Sequence, residues 1–149
     1  MKRRDAREIA FTIVFEMTYH TDTVEEIIQN AADSRDLEVD EFSRRLAQAV
    51  WDHTVELDHL IGQYSTKWKV DRLSRVAASL LRMAMAEALY LEDVPLSVSI
   101  NEAVELAKKY GGEEDAPFVN GVLGAFARSR AGQAGQPAPE EAGAAPREE

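Results

Sequence analysis

The chain has 149 residues, 45% hydrophobic and 30% charged, a formal net charge of −10 and no cysteine. That length suits one domain around one main core, and the missing cysteine excludes disulfides, thiolate metal ligands and a cysteine nucleophile. The lack of cysteine suits a reducing cytoplasm; no apolar run is long enough to span a bilayer, and the basic start leads into an amphipathic helix rather than a signal-peptide core.

The first predicted element opens on that basic start. Lys2, Arg3, Arg4 and Arg7 outnumber Asp5 and Glu8, whereas the acid collects elsewhere, at Glu25, Glu26, Asp36, Glu38, Asp40, Glu41, Glu92, Asp93 and Glu113 to Asp115. Surface fields are screened over roughly 8 Å at physiological salt, so a cationic patch acts locally on an acidic body. Ala6, Ile9, Ala10, Ile13, Val14 and Met17 then recur at helical spacing, with Phe11 and Phe15 on a second face, so this helix should touch more than one neighbour. Thr21, Asp22 and Thr23 offer caps for a second helix that turns Val24, Ile27 and Ile28 inward.

Asp33 to Asp40 reads as a polar connection, and a third helix starts near Asp40 with Phe42, Leu46, Ala49, Val50 and His53 as its stripe. Leu57, Leu60, Ile61 and Tyr64 continue it or form a following helix, because no proline or glycine marks a break. Asp71 is the expected cap of the next run, where Leu73, Val76, Ala77, Leu80, Leu81 and Ala84 keep helical period. Rich in alanine, it should be a central helix packed on several sides. Asp93-Val94-Pro95 punctuates the chain, since a residue before proline avoids the helical region. The next helix carries Val98, Ala103, Val104 and Ala107 and ends at Gly111-Gly112, expected to adopt a left-handed turn. A last helix starts around Asp115 to Pro117 and carries Phe118, Val119, Val122, Leu123 and Phe126. The pattern is all-α, with six or seven helices in residues 1–129 and an Ala/Gly/Pro/Glu-rich tail over 130–149 whose composition is that of a disordered segment.

No nucleotide-binding, hydrolase or zinc-protease signature occurs. His53 and His59 lie on different faces of a helix and read as ordinary helix-face residues. Glu105 and Lys109 form an i, i+4 pair, and Ser99-x-x-Glu102 resembles a capping box, so structural roles account for these carboxylates. No catalytic residue, metal or cofactor is expected. Two features have two readings. The arginines are a phosphate-binding track at a helix N-terminus, or a solvated start. Phe118 is core, which its periodicity favours, or an exposed ring for stacking a base.

Ile100-Asn101-Glu102-Ala103-Val104-Glu105-Leu106-Ala107-Lys108, followed by Tyr110-Gly111 and by Phe118-Val119-Asn120-Gly121-Val122-Leu123, resembles the NusB family. Ala6-Arg7-Glu8, Trp68 before Asp71-Arg72-Leu73, and Leu81-Arg82-Met83-Ala84 with Glu87 extend the resemblance over Arg4 to Arg128. It implies a compact fold of about seven helices, arranged as two packed three-helix bundles sharing one core. It further implies a non-enzymatic antitermination factor that binds the single-stranded boxA RNA of ribosomal RNA leaders together with the small-subunit ribosomal protein NusE, and joins the RNA polymerase elongation complex with other Nus factors. No membrane partner is implied.

Carried over by position, the RNA-binding residues are Lys2, Arg3, Arg4 and Arg7 with Glu114 and Phe118, next to Glu113 and Asp115. The partner-binding residues are Phe15 and Glu87. Four cationic contacts imply a salt slope of about −3 on a single strand. Ala86-Glu87-Ala88 stands where the family often has Tyr-Glu-Leu, Asp5 where many members carry a basic residue, and Pro117 precedes Phe118. A scaffold that binds only protein, and the NusB-like accessory domain of some RNA methyltransferases, are the rival readings.

Overall fold

Capping groups in the sequence decide where several helices begin. The Asp40 side chain accepts from the Ser43 amide, and Thr23 and Glu26 form a reciprocal capping box. The Ser74 hydroxyl accepts from the Ala77 amide. The computed structural model describes residues 2–19, 22–35, 38–65, 73–91 and 94–134. Among them lie seven helices and no strand. These are α1 (Arg3–Met17), α2 (Val24–Arg35), α3 (Glu41–Asp52), α4 (Thr54–Tyr64), α5 (Arg75–Tyr90), α6 (Leu96–Tyr110) and α7 (Asp115–Ala134). The expected cap at Asp71, residue Asp93 of the turn before α6, and residues 135–149 of the tail lie outside the described residues.

The central position expected for the alanine-rich helix is what the structure shows. α5 packs against α1, α3, α4, α6 and α7. It buries Ala77, Leu80, Leu81, Met83, Ala84, Met85 and Ala86, a set that runs around the helix because small side chains let neighbours approach on several sides. α1, α2 and α3 contact one another on one side of the core, α6 and α7 pair on the other, and α4 lies against α5 and α7. Ile13, Leu46, Leu57, Ile61, Leu123 and Phe126 complete the core.

Of the two options left open after α3, the structure shows the second: α3 and α4 are separate helices broken at His53, whose backbone leaves the helical region and whose ring stacks on Tyr90 with centroids 3.8 Å apart. Three local expectations change. Val98 is exposed rather than inward. α7 continues past 129 to Ala134. Gly111 ends α6 in an extended conformation, φ −101°, not a left-handed one. Its missing side chain is needed for space: a Cβ there would lie 2.8 Å from the Ala107 carbonyl oxygen and against the Asp115 carboxylate. Among the described residues no helix is long and apolar enough to cross a membrane.

Candidate nucleic-acid interface

Ala6, Ala10, Ile13 and Val14 pin α1 to the core, which leaves its first turn at the surface. Lys2, Arg3, Arg4 and Asp5 are exposed there. Lys2 occupies the cap position without a side-chain capping bond, so the first amides of α1 are open to an external acceptor.

Arg7 does not belong to this exposed set. It is 5% exposed, and its guanidinium donates to the Glu87 carboxylate through Nε at 3.0 Å and Nη2 at 2.7 Å. Glu87, read as a partner-facing residue, is 2% exposed and lies inside the fold with it. The helical period that carries Ala6, Ala10 and Val14 inward carries Arg7 inward too, and the burial of both charges requires their pairing. Ala86, where the sequence lacks the family's larger residue, is likewise buried.

Arg4 is intermediate. Its Nε and Nη2 donate to the two oxygens of Glu102 at 3.1 and 3.0 Å, while its side chain stays 70% exposed. The Glu102 hydrogen bonds, and then its charge, push the Arg4 guanidinium pKa up. This pairing replaces the capping box expected at Ser99: Ser99 lies a full turn inside α6, buried, and the cap position is Pro95. Arg3 differs again, with its Cζ 4.0 Å above the centroid of the Phe42 ring.

α6 links this end to the start of α7. The Glu8 carboxylate accepts from Lys109 Nζ at 2.5 Å and from the Tyr110 hydroxyl. Those two bonds hold Glu8 below the ordinary carboxylate range and push Lys109 and Tyr110 up. Lys109 therefore pairs with Glu8, and Glu105 takes Lys108 rather than the expected Lys109. Beyond Tyr110 the Asp115 carboxylate accepts from the Gly112 amide and the Ser74 hydroxyl, setting the first turn of α7. Glu113 and Glu114 are exposed there, and Phe118 is half-buried against the core, between the two readings of its ring.

Phe15 is half-buried within a row of rings, Tyr110, Phe11, Phe15 and Tyr19, spaced 5.0, 5.7 and 5.3 Å apart. Tyr19 is well exposed, with Arg75 over its ring. Sequence reading missed Phe42 and Glu102 as partners of Arg3 and Arg4. Phe42 carried only a core signal and Glu102 only a local one. It also missed the Glu-x-x-His spacing of Glu56 and His59; the Glu56 carboxylate lies 3.6 Å from His53 Nδ1, beyond hydrogen-bond distance, and no metal-binding group of three such residues occurs among the described residues.

An all-helical body of acidic charge, with an exposed cationic turn at one end of its first helix, has the make-up of a small macromolecule-binding protein. The model of the NusB family matches residues 4–128, and the chain belongs to that family. It is 42% identical over 123 residues to the transcription antitermination protein NusB of Bacillus subtilis strain 168, covering 83% of this chain and 92% of that one. It is 41% identical over 145 residues to the protein of the same name from Symbiobacterium thermophilum, covering 91% and 95%. Among solved structures it resembles T. maritima NusB, with a TM-score of 0.77, 32% identity and coverage of 86% and 92%. It also resembles a chain of the antitermination factors NusB and NusE in complex with double-stranded RNA, with a TM-score of 0.76, 26% identity and coverage of 85% and 96%.

Proposed function

We propose that this protein is a non-catalytic transcription antitermination factor of the cytoplasm, which binds single-stranded boxA RNA with Lys2, Arg3 and Arg4 and acts together with NusE in the elongating polymerase complex. The match over nearly the whole chain to proteins named for antitermination carries this reading. The exposed cations on the uncapped first turn of α1 supply its chemistry. They neutralise phosphates, and the half-buried Phe118 ring, beside Glu114, meets an unstacked base. Arg7 and Glu87 act from inside, fixing α1 to α5 beneath that surface. The exposed edge of the Phe15 and Tyr19 rings is the face offered to NusE.

With Arg7 withdrawn and the charge of Arg4 offset by Glu102, Lys2 and Arg3 remain as unneutralised cations, and the salt slope on a single strand becomes about −1.4. Binding of boxA RNA by wild type and by Lys2→Ala/Arg3→Ala, measured across a salt series with and without NusE and with a scrambled RNA control, tests the reading. The expected result is weaker binding by the variant, a shallower slope, and a gain from NusE that scrambling abolishes. Equal binding by wild type and variant at every salt concentration overturns it.

A further inference from the structure

The three arginines of α1 stand in different situations. Arg7 spends its donors on Glu87 and Arg4 on Glu102. Among the described residues no hydrogen bond or ion pair engages Arg3, yet its position is held by the Phe42 ring beneath it. That ring is itself fixed. Phe42 is buried in the first turn of α3, where Asp40 caps the helix and the Ser43 hydroxyl donates to the Ala6 carbonyl at 2.8 Å, tying α3 to the first turns of α1. Arg7 lies 5.7 Å from the same ring.

A guanidinium is flat, and its stacking on an aromatic face leaves the opposite face and the N–H edge open. Arginine planes are among the surfaces on which splayed RNA bases stack. We infer that Arg3 seated on Phe42 is a shelf for one unpaired base of single-stranded RNA, with Phe42 the positioning residue that sets the plane of the guanidinium. The order is ring, guanidinium, base, with the N–H edge turned to a neighbouring phosphate. The inference rests on the RNA-binding reading above and adds to it a stacking role for Arg3 and a function for Phe42.

Lysine separates a shelf from a charge, because it keeps the charge and lacks the plane. Fluorescence titration of a boxA oligonucleotide, over a salt series, with wild type, Arg3→Lys, Phe42→Leu, the double variant and Phe42→Tyr tests the shelf. Arg3→Lys is an exposed change that leaves folding intact. It should weaken binding at least about fivefold with an unchanged salt slope. Phe42→Leu should weaken binding similarly, the double variant no more than either alone, and Phe42→Tyr should restore it. An abasic substitution at the stacked nucleotide should erase the difference between wild type and Arg3→Lys. Equal affinity of wild type and Arg3→Lys, or additive losses in the double variant, overturns the shelf while leaving RNA binding in place. Absence of wild-type binding overturns the RNA reading itself and the shelf with it.

Discussion

With Arg7 and Glu87 both withdrawn from water, each charge depends on the other. Removing one partner of such a pair leaves an uncompensated buried charge and costs about 3–5 kcal/mol, whereas replacing both by apolar groups of similar volume is often close to neutral. Glu87→Ala should therefore lower the unfolding free energy by about that amount, and Arg7→Met/Glu87→Leu should recover most of it, as read from urea midpoints. A loss under about 1 kcal/mol for Glu87→Ala would show that the pair is not anchoring α1. Glu8 gives a pH-dependent counterpart. Its folded pKa is lowered by the hydrogen bonds from Lys109 and Tyr110, so its contribution is complete above the unfolded carboxylate value of about 4.3 and is lost as pH falls through the lowered value. The raised pKa of Lys109 puts the opposite edge on the alkaline side: its contribution is complete below about 10.4 and lost as pH rises through the raised value. The stability difference between wild type and Glu8→Gln should be flat between these edges and close towards zero below the acid one, in a series of unfolding curves against pH. None of this pairing was legible in the sequence. Arg3, Arg4 and Arg7 look alike there, and the residue that sets Arg7 apart lies 80 positions away.

At the scale of elements, the sequence reads well wherever the controlling group is local. The Asp40 cap and the inward faces of α1, α2 and α7 all follow from residues three or four apart. The readings that changed are those where a distant group decides. Gly111 looks like a left-handed terminator, but the approach of Asp115 is what excludes a side chain there. Ser74 starts α5 because its hydroxyl does two things: it accepts from the Ala77 amide and donates to Asp115 of α7. It thus couples the first turns of α5 and α7. Ser74→Ala removes both bonds and should cost about 1–2 kcal/mol in urea unfolding, the upper part of the range for a lost cap. Asp115→Asn keeps the capping acceptor of Ser74 and weakens the two bonds that Asp115 accepts, from the Ser74 hydroxyl and the Gly112 amide, so it should cost less. An equal cost for the two changes would place more of the stability in those Asp115 bonds than in the cap.

Across the whole molecule, α1 is fixed by three neighbours at once: α3 through Ser43, α5 through Arg7, and α6 through Arg4 and Glu8. The cationic end is consequently rigid in an acidic body, and the strength of its field depends on how much of each cation is already neutralised. Glu102 is the control on this. It holds Arg4 in a bidentate geometry but cancels its charge, and a phosphate must compete with it. The all-helical fold and the basic end were both visible in composition and periodicity; this internal competition was not, because Glu102 sits in a local pattern that suggests a helix cap. Glu102→Gln keeps the size and an acceptor for Arg4 while removing the competing charge. If Arg4 contacts phosphate, RNA affinity at low salt should rise and the slope of log affinity against log salt should steepen by about 0.7, one further cation on a single strand. The unfolding midpoint should change little, since Arg4 remains largely in water and no buried charge is stranded. A fall in affinity with an unchanged slope would mean that Glu102 aims Arg4 rather than restrains it, and would leave Lys2 and Arg3 as the groups that meet the RNA backbone.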